Sequence, residues 1–289
     1  MITGKTKVCG LIGYPVAHSM SPFIHGRLAG ILGEDLAYVT FPVRPGEVNE
    51  AVKGALALGI CGLNVTVPHK ESVKEALSEL DDNAKKVGAV NTLVRTDDGG
   101  FKGYNTDVTG LDMALDTHGI EVSGRNTVII GAGGAARAAA VLCAGKGAGH
   151  IFIMNRNRER AAALSDHVNA VFGRNAASPL GIHETGGLPR EKMIVFQATS
   201  AGLYPDVDNV PTEDEELFAR TETVFDLIYT PLTTRFMKLA EERGAKAYNG
   251  LWMLVWQAVS AFELWTGKNI ERQDAQVIYD DMIRVMKEG

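Results

Sequence analysis

The sequence has few cysteines, no long apolar run and no cluster of basic residues. Its three cysteines, Cys9, Cys61 and Cys143, are odd in number, widely spaced and surrounded by small or apolar residues. That pattern favours buried free thiols in a reducing compartment over a disulfide framework, so we expect a cytoplasmic protein. No stretch approaches the roughly 18 apolar residues of a membrane span, and we expect neither a signal peptide nor a membrane partner.

The balance of charge excludes a further class of partner. The 289 residues carry 29 Lys and Arg against 35 Asp and Glu, a formal net charge of −6. Because the basic residues are scattered, the chain lacks the electrostatic footprint of a nucleic-acid-binding protein. The length is that of two ordinary domains. The composition therefore predicts a soluble, mildly acidic globular protein.

Short β-rich runs alternate with helical stretches, which is typical of a parallel α/β fold. In the first part we predict strands at 8–12, 37–41, 63–67 and 90–94, and helices at 22–32, 48–57 and 73–80, with Ser21 and Ser72 as possible caps. From there on we predict a helix at 107–118, ended by Gly119, and strands at 126–130, 151–154, 193–197 and 223–227. This second series predicts a Rossmann-type, doubly wound sheet.

Two helices complete the predicted domain organisation. Residues 251–265 are apolar almost all round, and residues 275–286 are amphipathic. Because no strand follows them, we expect them to fold back on the first domain. We therefore predict an N-terminal α/β substrate domain, 1–106 plus 250–289, and a dinucleotide-binding domain, 107–249.

A glycine-rich turn follows the strand predicted at 126–130. Gly131, Gly133 and Ala136 satisfy the pattern G-x-G-x-x-A at the start of an Ala-rich helix. Glycines there permit a tight turn and let backbone N–H groups approach a pyrophosphate, whose charge the helix N-terminus also favours. The pattern predicts a dinucleotide site, and an ordinary Gly-rich turn is the alternative.

The end of the next strand indicates which dinucleotide is bound. An acidic residue about 20 positions beyond the motif would accept a hydrogen bond from a ribose 2′-hydroxyl. The sequence has Asn155-Arg-Asn-Arg-Glu-Arg160 at the end of this strand instead. Because arginine pairs bidentately with phosphate, the segment favours NADP over NAD. The alternative is a solvated basic helix start, although arginine at a helix N-terminus opposes the macrodipole.

Two hydroxyls stand at the start of the first predicted helix. The segment 13–22 follows a strand directly and places Ser19 and Ser21 before a helix that begins with Pro22. Hydroxyls beside a helix N-terminus suit a carboxylate ligand. Helix capping by Ser21 alone is the alternative.

Further polar residues stand at the ends of predicted elements. Alternation along the third strand sends Asn64 and Thr66 to one face, and Lys70 lies just past the strand, where it could transfer a proton. A solvated lysine is the alternative. Asn91 and Asp107 stand at element boundaries, and Asp107 taken singly is also typical of a helix N-cap.

Taken together, these motifs resemble those of the shikimate dehydrogenase family, and they occur in the family's order. The matching segments are H-S-x-S-P at 18–22, N-V-T-x-P-x-K at 64–70, G-A-x-N-T at 88–92, G-x-N-T-D at 103–107, G-A-G-G-A at 131–135, N-R-x-x-x-R at 155–160, D-L-I-Y at 226–229 and G-L-W-M at 250–253, followed by Gln257. The resemblance therefore covers nearly the whole chain.

The resemblance implies an NADP-dependent enzyme that reduces 3-dehydroshikimate to shikimate in aromatic amino-acid biosynthesis, with Lys70 and Asp107 as the acid-base pair. It implies Ser19, Ser21 and Tyr229 as ligands of the substrate carboxylate, and as ligands of the ring hydroxyls it implies Asn64, Thr66, Asn91, Asp107 and Gln257. The implied cofactor residues are Gly131, Ala132, Gly133, Gly134, Ala135, Asn155, Arg156, Asn157, Arg160, Thr199, Gly250 and Met253. Because Gln257 stands in an otherwise apolar helix, we also expect its amide to have a ligand or backbone partner. We expect a monomer or a homodimer.

Three positions depart from the family pattern. Gly26 stands where Asn is common, Gln197 where Asn begins the Ala-Thr-Ser stretch, and Asn157 where Thr is usual. They bear on local helix packing, on contacts near the nicotinamide and on the strength of the NADP preference. Two alternatives stay open: a quinate/shikimate dehydrogenase that accepts NAD, and a non-catalytic dinucleotide-sensing protein on the same fold. Retention of Lys70 and Asp107 argues against the second.

Overall fold

The computed structural model describes residues 2–288, which form two compact α/β units. The first unit ends at Gly110 and resumes at Leu254, and the second is Leu111–Met253. The α/β prediction is confirmed. The predicted domain bounds, 1–106 plus 250–289 and 107–249, differ from these units by a few residues at each crossing and stay a prediction.

The strands follow the predicted alternation closely in the second half and less closely in the first. In chain order they are β1 (Lys7–Gly13), β2 (Leu36–Pro42), β3 (Gly62–Val65), β4 (Glu79–Leu80), β5 (Thr92–Arg95), β6 (Phe101–Tyr104), β7 (Asn126–Ile130), β8 (His150–Asn155), β9 (Ala177–Gly181), β10 (Met193–Gln197), β11 (Thr221–Asp226) and β12 (Lys246–Tyr248).

The helices lie between these strands and after the last of them. They are α1 (Ser21–Leu32), α2 (Val48–Ala57), α3 (Asp82–Val87), α4 (Thr106–His118), α5 (Gly134–Gly145), α6 (Arg158–Phe172), α7 (Glu215–Ala219), α8 (Arg235–Glu241), α9 (Leu251–Thr266) and α10 (Arg272–Glu288), with 3-10 turns at Ser72–Ala76 and Thr185–Gly187. Within the described residues, no helix is long and apolar enough to cross a membrane.

The sheet of the first unit is mixed, so the prediction of a parallel sheet is wrong there. Its strand order is β2-β1-β3-β5-β6-β4, and β5 runs antiparallel to both β3 and β6. The antiparallel pairing of β5 with β6 follows from the short turn between them, which Thr96 closes by donating its N–H to the Gly100 carbonyl at 3.0 Å. A connection this short joins antiparallel neighbours, whereas a parallel crossover needs a dozen or more residues.

The helix predicted at 73–80 is also wrong. The chain forms a 3-10 turn at Ser72–Ala76 and then β4, which pairs with β6 at the sheet edge. Pairing with β6 satisfies backbone groups of β4 that a longer helix would have bonded internally. Neither predicted serine cap forms: Met20 and Glu71 hold the N-cap positions, and neither element has a side-chain cap bond.

The sheet of the second unit is parallel throughout and has the doubly wound order β9-β8-β7-β10-β11-β12. The chain starts at the centre, moves outward through β8 and β9, and crosses back to β10. The carboxyl ends of β7 and β10 therefore flank the point where the strand order reverses, which is where ligands bind in open α/β sheets.

The helices after Gly250 belong in large part to the first unit. The Trp265 ring of α9 lies over Gly62 of β3, where an added Cβ would stand 2.1 Å from its Nε1 atom. The same Nε1–H donates to the Leu93 carbonyl of β5 at 2.9 Å. The far end of α9 is thus fixed to the centre of the first sheet.

All three cysteines are free thiols, as predicted. Cys9 and Cys143 are buried, and burial raises the pKa of each thiol to about 12. Cys61 is only half-buried, so the expectation of burial is wrong at that position.

Candidate active site

Lys70 and Asp107 form an ion pair within the first unit. The Lys70 Nζ donates to Asp107 Oδ2 at 2.5 Å, and the side chains are 20% and 10% exposed. Asp107 lies inside the first turn of α4, which begins at Thr106, so its carboxylate is free to accept this bond. A largely shielded ammonium oriented by a carboxylate is a suitable proton donor to a neighbouring oxygen.

Asn91 holds the other oxygen of the Asp107 carboxylate. Its Nδ2 donates to Asp107 Oδ1 at 2.8 Å, and its Oδ1 accepts the backbone N–H of Thr106 at 2.7 Å. Asn91 directly precedes β5 and is buried. Both carboxylate oxygens therefore have fixed donors, and Asp107 has a single orientation toward Lys70.

Asn64 lies in β3 and is buried beside this pair. Its Oδ1 accepts a hydrogen bond from the Tyr38 hydroxyl at 2.7 Å, and its Nδ2 donates to the Thr92 hydroxyl at 3.0 Å. Thr66 lies just past the strand and is half-buried, and its Cγ2 methyl stands 2.3 Å from where a Cβ on Gly13 would be. The structure thus brings the second motif against the first.

Ser19 and Ser21 lie together at the N-terminus of α1. The Ser19 hydroxyl donates to the Ser21 hydroxyl at 3.2 Å, and it accepts the Ser21 backbone N–H at the same distance. Neither hydroxyl caps the helix. Both lie at a helix end that favours negative charge, where an anionic ligand can bind.

Gln257 and Tyr229 lie in different units. The Gln257 Nε2 donates to the Leu254 carbonyl of the same helix at 2.9 Å, which supplies the expected backbone partner. Tyr229 follows β11, and burial raises the pKa of its hydroxyl, so the phenol stays neutral over a wider range of pH. The roles of both residues toward a ligand stay predictions.

The glycine-rich turn after β7 fits a pyrophosphate. Gly131 has φ of +121°, and a Cβ there would lie 2.9 Å from the Ala198 carbonyl oxygen. Gly133 is the N-cap of α5, and a Cβ on it would meet nothing within 4 Å. Ala132, Gly134 and Ala135 complete a turn of small residues. The turn therefore leaves open space at a helix N-terminus, where backbone N–H groups can cradle phosphate oxygens.

The segment after β8 presents arginines at the start of α6. Asn157 caps this helix by accepting the Arg160 N–H at 2.9 Å, a role that threonine also fills. Asn155 Nδ2 donates to the Asn157 carbonyl at 2.9 Å, which fixes the turn. Arg158 pairs with Glu184 at 3.1 Å, whereas Arg156 is exposed and has no ion pair within the part of the chain described here. Arg156 is thus available to a phosphate.

The structure explains why glutamine stands at position 197 and glycine at position 250, which the sequence alone did not reveal. The Gln197 Oε1 accepts the N–H and the hydroxyl of Thr199 at 2.6 and 2.7 Å, and its Nε2 donates to Asp226 Oδ1 at 3.3 Å. Gln197 thereby orders the turn that follows β10. A Cβ on Gly250 would lie 2.2 Å from the Leu227 carbonyl oxygen, so only glycine fits. Met253 is buried in the first turn of α9.

Sequence reasoning missed three buried hydroxyls at this site. Thr92 and Thr106 contact the amide of Asn91, and Tyr38 contacts that of Asn64. The two threonines stand inside the motifs at 88–92 and 103–107, which was the available signal. Tyr38 belongs to no motif, and only the pairing of β1 with β2 and β3 brings it near Asn64.

Family models match most of the chain in three segments. Residues 11–93 match the shikimate dehydrogenase substrate binding domain, residues 112–205 match shikimate / quinate 5-dehydrogenase, and residues 250–274 match the shikimate 5′-dehydrogenase C-terminal domain. The first match contains Ser19, Ser21, Asn64, Lys70 and Asn91.

Individual proteins match over nearly their full length. The shikimate dehydrogenase (NADP(+)) of Methanothermobacter thermautotrophicus is 42% identical over 93% of this chain and 94% of its own. A crystal structure of a shikimate dehydrogenase in complex with NADP+ has a TM-score of 0.88 and 40% identity, covering 98% of both chains. A quinate dehydrogenase from Corynebacterium glutamicum in complex with NAD has a TM-score of 0.87 and 27% identity, covering 96% of this chain and 99% of its own.

Proposed function

Because the chain belongs to the shikimate dehydrogenase family, we propose that it catalyses the reversible reduction of 3-dehydroshikimate to shikimate with NADPH. This reaction serves chorismate and aromatic amino-acid biosynthesis. The observation that carries the proposal is the shielded Lys70–Asp107 pair, since reduction of a ring carbonyl requires a proton donor at its oxygen. NADPH, when bound, supplies the hydride for the carbonyl carbon.

Lys70 transfers the proton, and Asp107 positions Lys70. As the carbonyl oxygen gains negative charge, the Lys70 ammonium gives it a proton and the product is an alcohol. In the reverse direction the neutral Lys70 amine accepts the hydroxyl proton. Asp107 keeps Nζ in one position and stabilises its positive charge through the 2.5 Å hydrogen bond.

The remaining polar residues are assigned to binding the substrate. The two hydroxyls at the start of α1, Ser19 and Ser21, bind its carboxylate with Tyr229. The amides and hydroxyls around the ion pair bind its ring hydroxyls, and these are Asn64, Thr66, Asn91, Asp107 and Gln257. A ring that carries several hydroxyls and a carboxylate needs such a set of directed polar groups.

The second unit holds NADP through the turn after β7 and the arginine segment after β8. The glycine turn fits the pyrophosphate, as the open space at Gly133 supports. Arg156 and Arg160 would bind the 2′-phosphate of the adenosine ribose, since arginine pairs bidentately with phosphate. The residues assigned to NADP are Gly131, Ala132, Gly133, Gly134, Ala135, Asn155, Arg156, Asn157, Arg160, Thr199, Gly250 and Met253.

We assign the enzyme to the cytoplasm, as a monomer or a homodimer whose partner is its small-molecule substrate. The three free thiols, two of them buried, support a reducing compartment. The formal net charge of −6 argues against nucleic acid as a partner.

The test is absorbance at the reduced-nicotinamide band with the purified protein. Shikimate and quinate are each offered with NADP and with NAD, and we expect the fastest reduction with shikimate and NADP. Faster turnover of quinate, or of NAD, would assign the chain to the quinate/shikimate dehydrogenase type instead, to which the similar quinate dehydrogenase in complex with NAD points. Absence of turnover with all four pairs would reject the enzyme and favour a dinucleotide sensor.

A further inference from the structure

A line of hydrogen bonds runs from Tyr38 through Thr92 to the catalytic carboxylate. The Tyr38 hydroxyl donates to Asn64 Oδ1 at 2.7 Å, and Asn64 Nδ2 donates to Thr92 Oγ1 at 3.0 Å. Thr92 Oγ1 donates to Asn91 Oδ1 at 3.1 Å, and Asn91 Nδ2 donates to Asp107 Oδ1 at 2.8 Å. In every bond of the line, the donor lies on the Tyr38 side and the acceptor on the Asp107 side.

The Asp107 end of the line fixes that direction. Asn91 lies between a backbone N–H of Thr106, which only donates, and the Asp107 carboxylate that accepts from Lys70. Its amide therefore has one orientation, with Oδ1 toward Thr106 and Thr92 and Nδ2 toward Asp107. A carboxylate and a backbone N–H cannot exchange roles, whereas a hydroxyl can either donate or accept.

The orientation of Asn64 depends on hydroxyls. Its Oδ1 meets the Tyr38 hydroxyl and its Nδ2 meets the Thr92 hydroxyl, and both hydroxyls would also suit a rotated amide. The other contact is the Asn91 carbonyl, which Nδ2 reaches at 3.3 Å, near the limit for a hydrogen bond. Thr92 has one proton, and two oxygens at 3.1 Å can accept it, Asn91 Oδ1 and the Thr106 hydroxyl. When Thr92 donates to either of them, it accepts from Asn64, and Nδ2 faces it.

This orientation determines what Asn64 offers to a ligand. Both Nδ2 protons are engaged, by Thr92 and by the Asn91 carbonyl. The Tyr38 hydroxyl occupies one of the two lone-pair positions of Oδ1. The nearby His25 ring makes no hydrogen bond of good geometry, so among the described residues the other position accepts none. In this orientation Asn64 presents an acceptor, so a substrate hydroxyl has to donate to it.

We propose that Thr92 is a positioning residue that, together with Tyr38, holds the Asn64 amide with its acceptor toward a substrate hydroxyl. The proposal rests on the proposed function, in which Asn64 binds a ring hydroxyl of shikimate. Thr92 has no exposed surface, so it acts through Asn64 and Asn91 rather than by touching the substrate.

The first experiment replaces the Thr92 hydroxyl by a methyl of similar size in Thr92→Val. We expect the KM for shikimate to rise roughly threefold to tenfold, the range that corresponds to about one hydrogen bond. The KM for NADP should not change. Thr92→Ser, which restores the hydroxyl, should recover the KM for shikimate to within about twofold. An unchanged KM in Thr92→Val, or a rise that Thr92→Ser does not recover, would overturn the proposal.

The second experiment tests whether Tyr38 and Thr92 act on the same amide. Tyr38→Phe removes a hydroxyl and keeps the ring stacked on His25 at 4.2 Å. If both residues act through Asn64, the double variant Tyr38→Phe/Thr92→Val should raise the KM by clearly less than the product of the single effects. Effects that multiply would mean two independent losses of packing and would contradict the proposal.

A third measurement needs no substrate and separates this proposal from the proposed function. In the ¹⁵N-labelled protein we expect slow hydrogen exchange at the Asn64 side-chain amide, and exchange at least about tenfold faster in Thr92→Val. The control is Tyr248→Phe, a tyrosine of the second unit whose ring lies 4.3 Å from His118; it should leave this amide unchanged. Equal exchange in wild type and Thr92→Val would reject the positioning role. Absence of shikimate turnover in the wild type would reject the proposed function alone.

Discussion

At the scale of single residues, the candidate site depends on a lysine that is largely shielded from solvent and held by a carboxylate. Lys70 is only 20% exposed and its Nζ is fixed on Asp107. Lys85, by comparison, is 58% exposed on α3, where it pairs with Asp82 at 3.6 Å. A fixed ammonium can be aligned with a reacting oxygen, whereas a mobile solvated one rarely is.

Removal of the Lys70 ammonium should therefore slow the chemical step. We expect Lys70→Ala to lower kcat by roughly 10²- to 10⁴-fold, the usual range for a positioned acid-base group, with little change in NADP affinity. Steady-state kinetics and a fluorescence titration with NADP measure the two quantities. Lys85→Ala is the matched control and should keep wild-type kcat. Normal turnover in Lys70→Ala would remove this lysine from the mechanism.

Arg156 should account for much of the discrimination between the two dinucleotides. Arg156→Asp should weaken NADP relative to NAD by about 1.5–3 kcal/mol for each charge-assisted hydrogen bond lost, because a carboxylate would repel the 2′-phosphate. Arg243→Asp makes the same change of charge at an exposed arginine that pairs with Glu215. It should leave the ratio of the two dissociation constants as it is. An unchanged ratio in Arg156→Asp would show that the guanidinium does not reach the ribose.

At the scale of elements, the turn between β7 and α5 contains one glycine that the fold requires and another that we expect cofactor binding to require. Gly131 has a positive φ and a close carbonyl, so Gly131→Ala should lower the free energy of unfolding by about 1–3 kcal/mol. Gly133 has φ of −88° and open space around it, and serine is a good N-cap. Gly133→Ser should keep the melting temperature and still weaken NADP binding.

Thermal unfolding without ligand and a titration with NADP distinguish these two outcomes. If Gly133→Ser binds NADP as tightly as the wild type, the pyrophosphate does not lie against this glycine. A Gly131→Ala protein as stable as the wild type would mean that the backbone relaxes at this position without cost.

The helices and strands also show which parts of the structure could be predicted from the sequence. The predictions at 48–57, 126–130 and 193–197 match α2, β7 and β10 because the first segment has amphipathic helical spacing and the other two are short apolar runs rich in β-branched residues. The segment 73–80 failed because the pairing of β4 with β6, a tertiary contact, overrode its helical spacing. The ion pair of Lys70 with Asp107 could be predicted from the motifs that carry the two residues. The direction of the hydrogen bonds around Thr92 could not, because it arises only when β3 and β5 are paired.

At the scale of the whole molecule, one buried histidine should make stability depend on pH. His25 of α1 is fully buried, and neither ring nitrogen makes a hydrogen bond of good geometry, although Asn64 lies close enough to favour protonation slightly. Burial dominates and lowers the pKa of the ring to about 3. In the unfolded chain the ring titrates near 6.5. Below that pH the unfolded state therefore binds a proton that the folded state does not.

The free energy of unfolding should accordingly fall as the pH decreases from 6.5 toward 3, by up to about 1.4 kcal/mol per pH unit from this group. Asp226 acts in the opposite direction, because burial raises its pKa to about 6 and the folded state takes up its proton first. Urea unfolding of wild type and His25→Phe at several pH values isolates the histidine. The difference between the two should change below pH 6.5 and stay constant above it. Parallel pH profiles would show that the buried ring is not neutral.

The contact between Trp265 and the first sheet has a consequence for biosynthesis. Ribosomes make β1 to β6 early, but the ring that lies over Gly62 and bonds the Leu93 carbonyl belongs to the segment made after the whole of the second unit. The nascent first sheet therefore waits, with part of one face uncovered, while more than 140 further residues, Leu111–Met253, emerge. The second unit, whose strands and helices are continuous in sequence, can fold during that time. The part of the chain that is translated first is thus the last to be completed, and the period between the two events is when a chaperone would have most to protect.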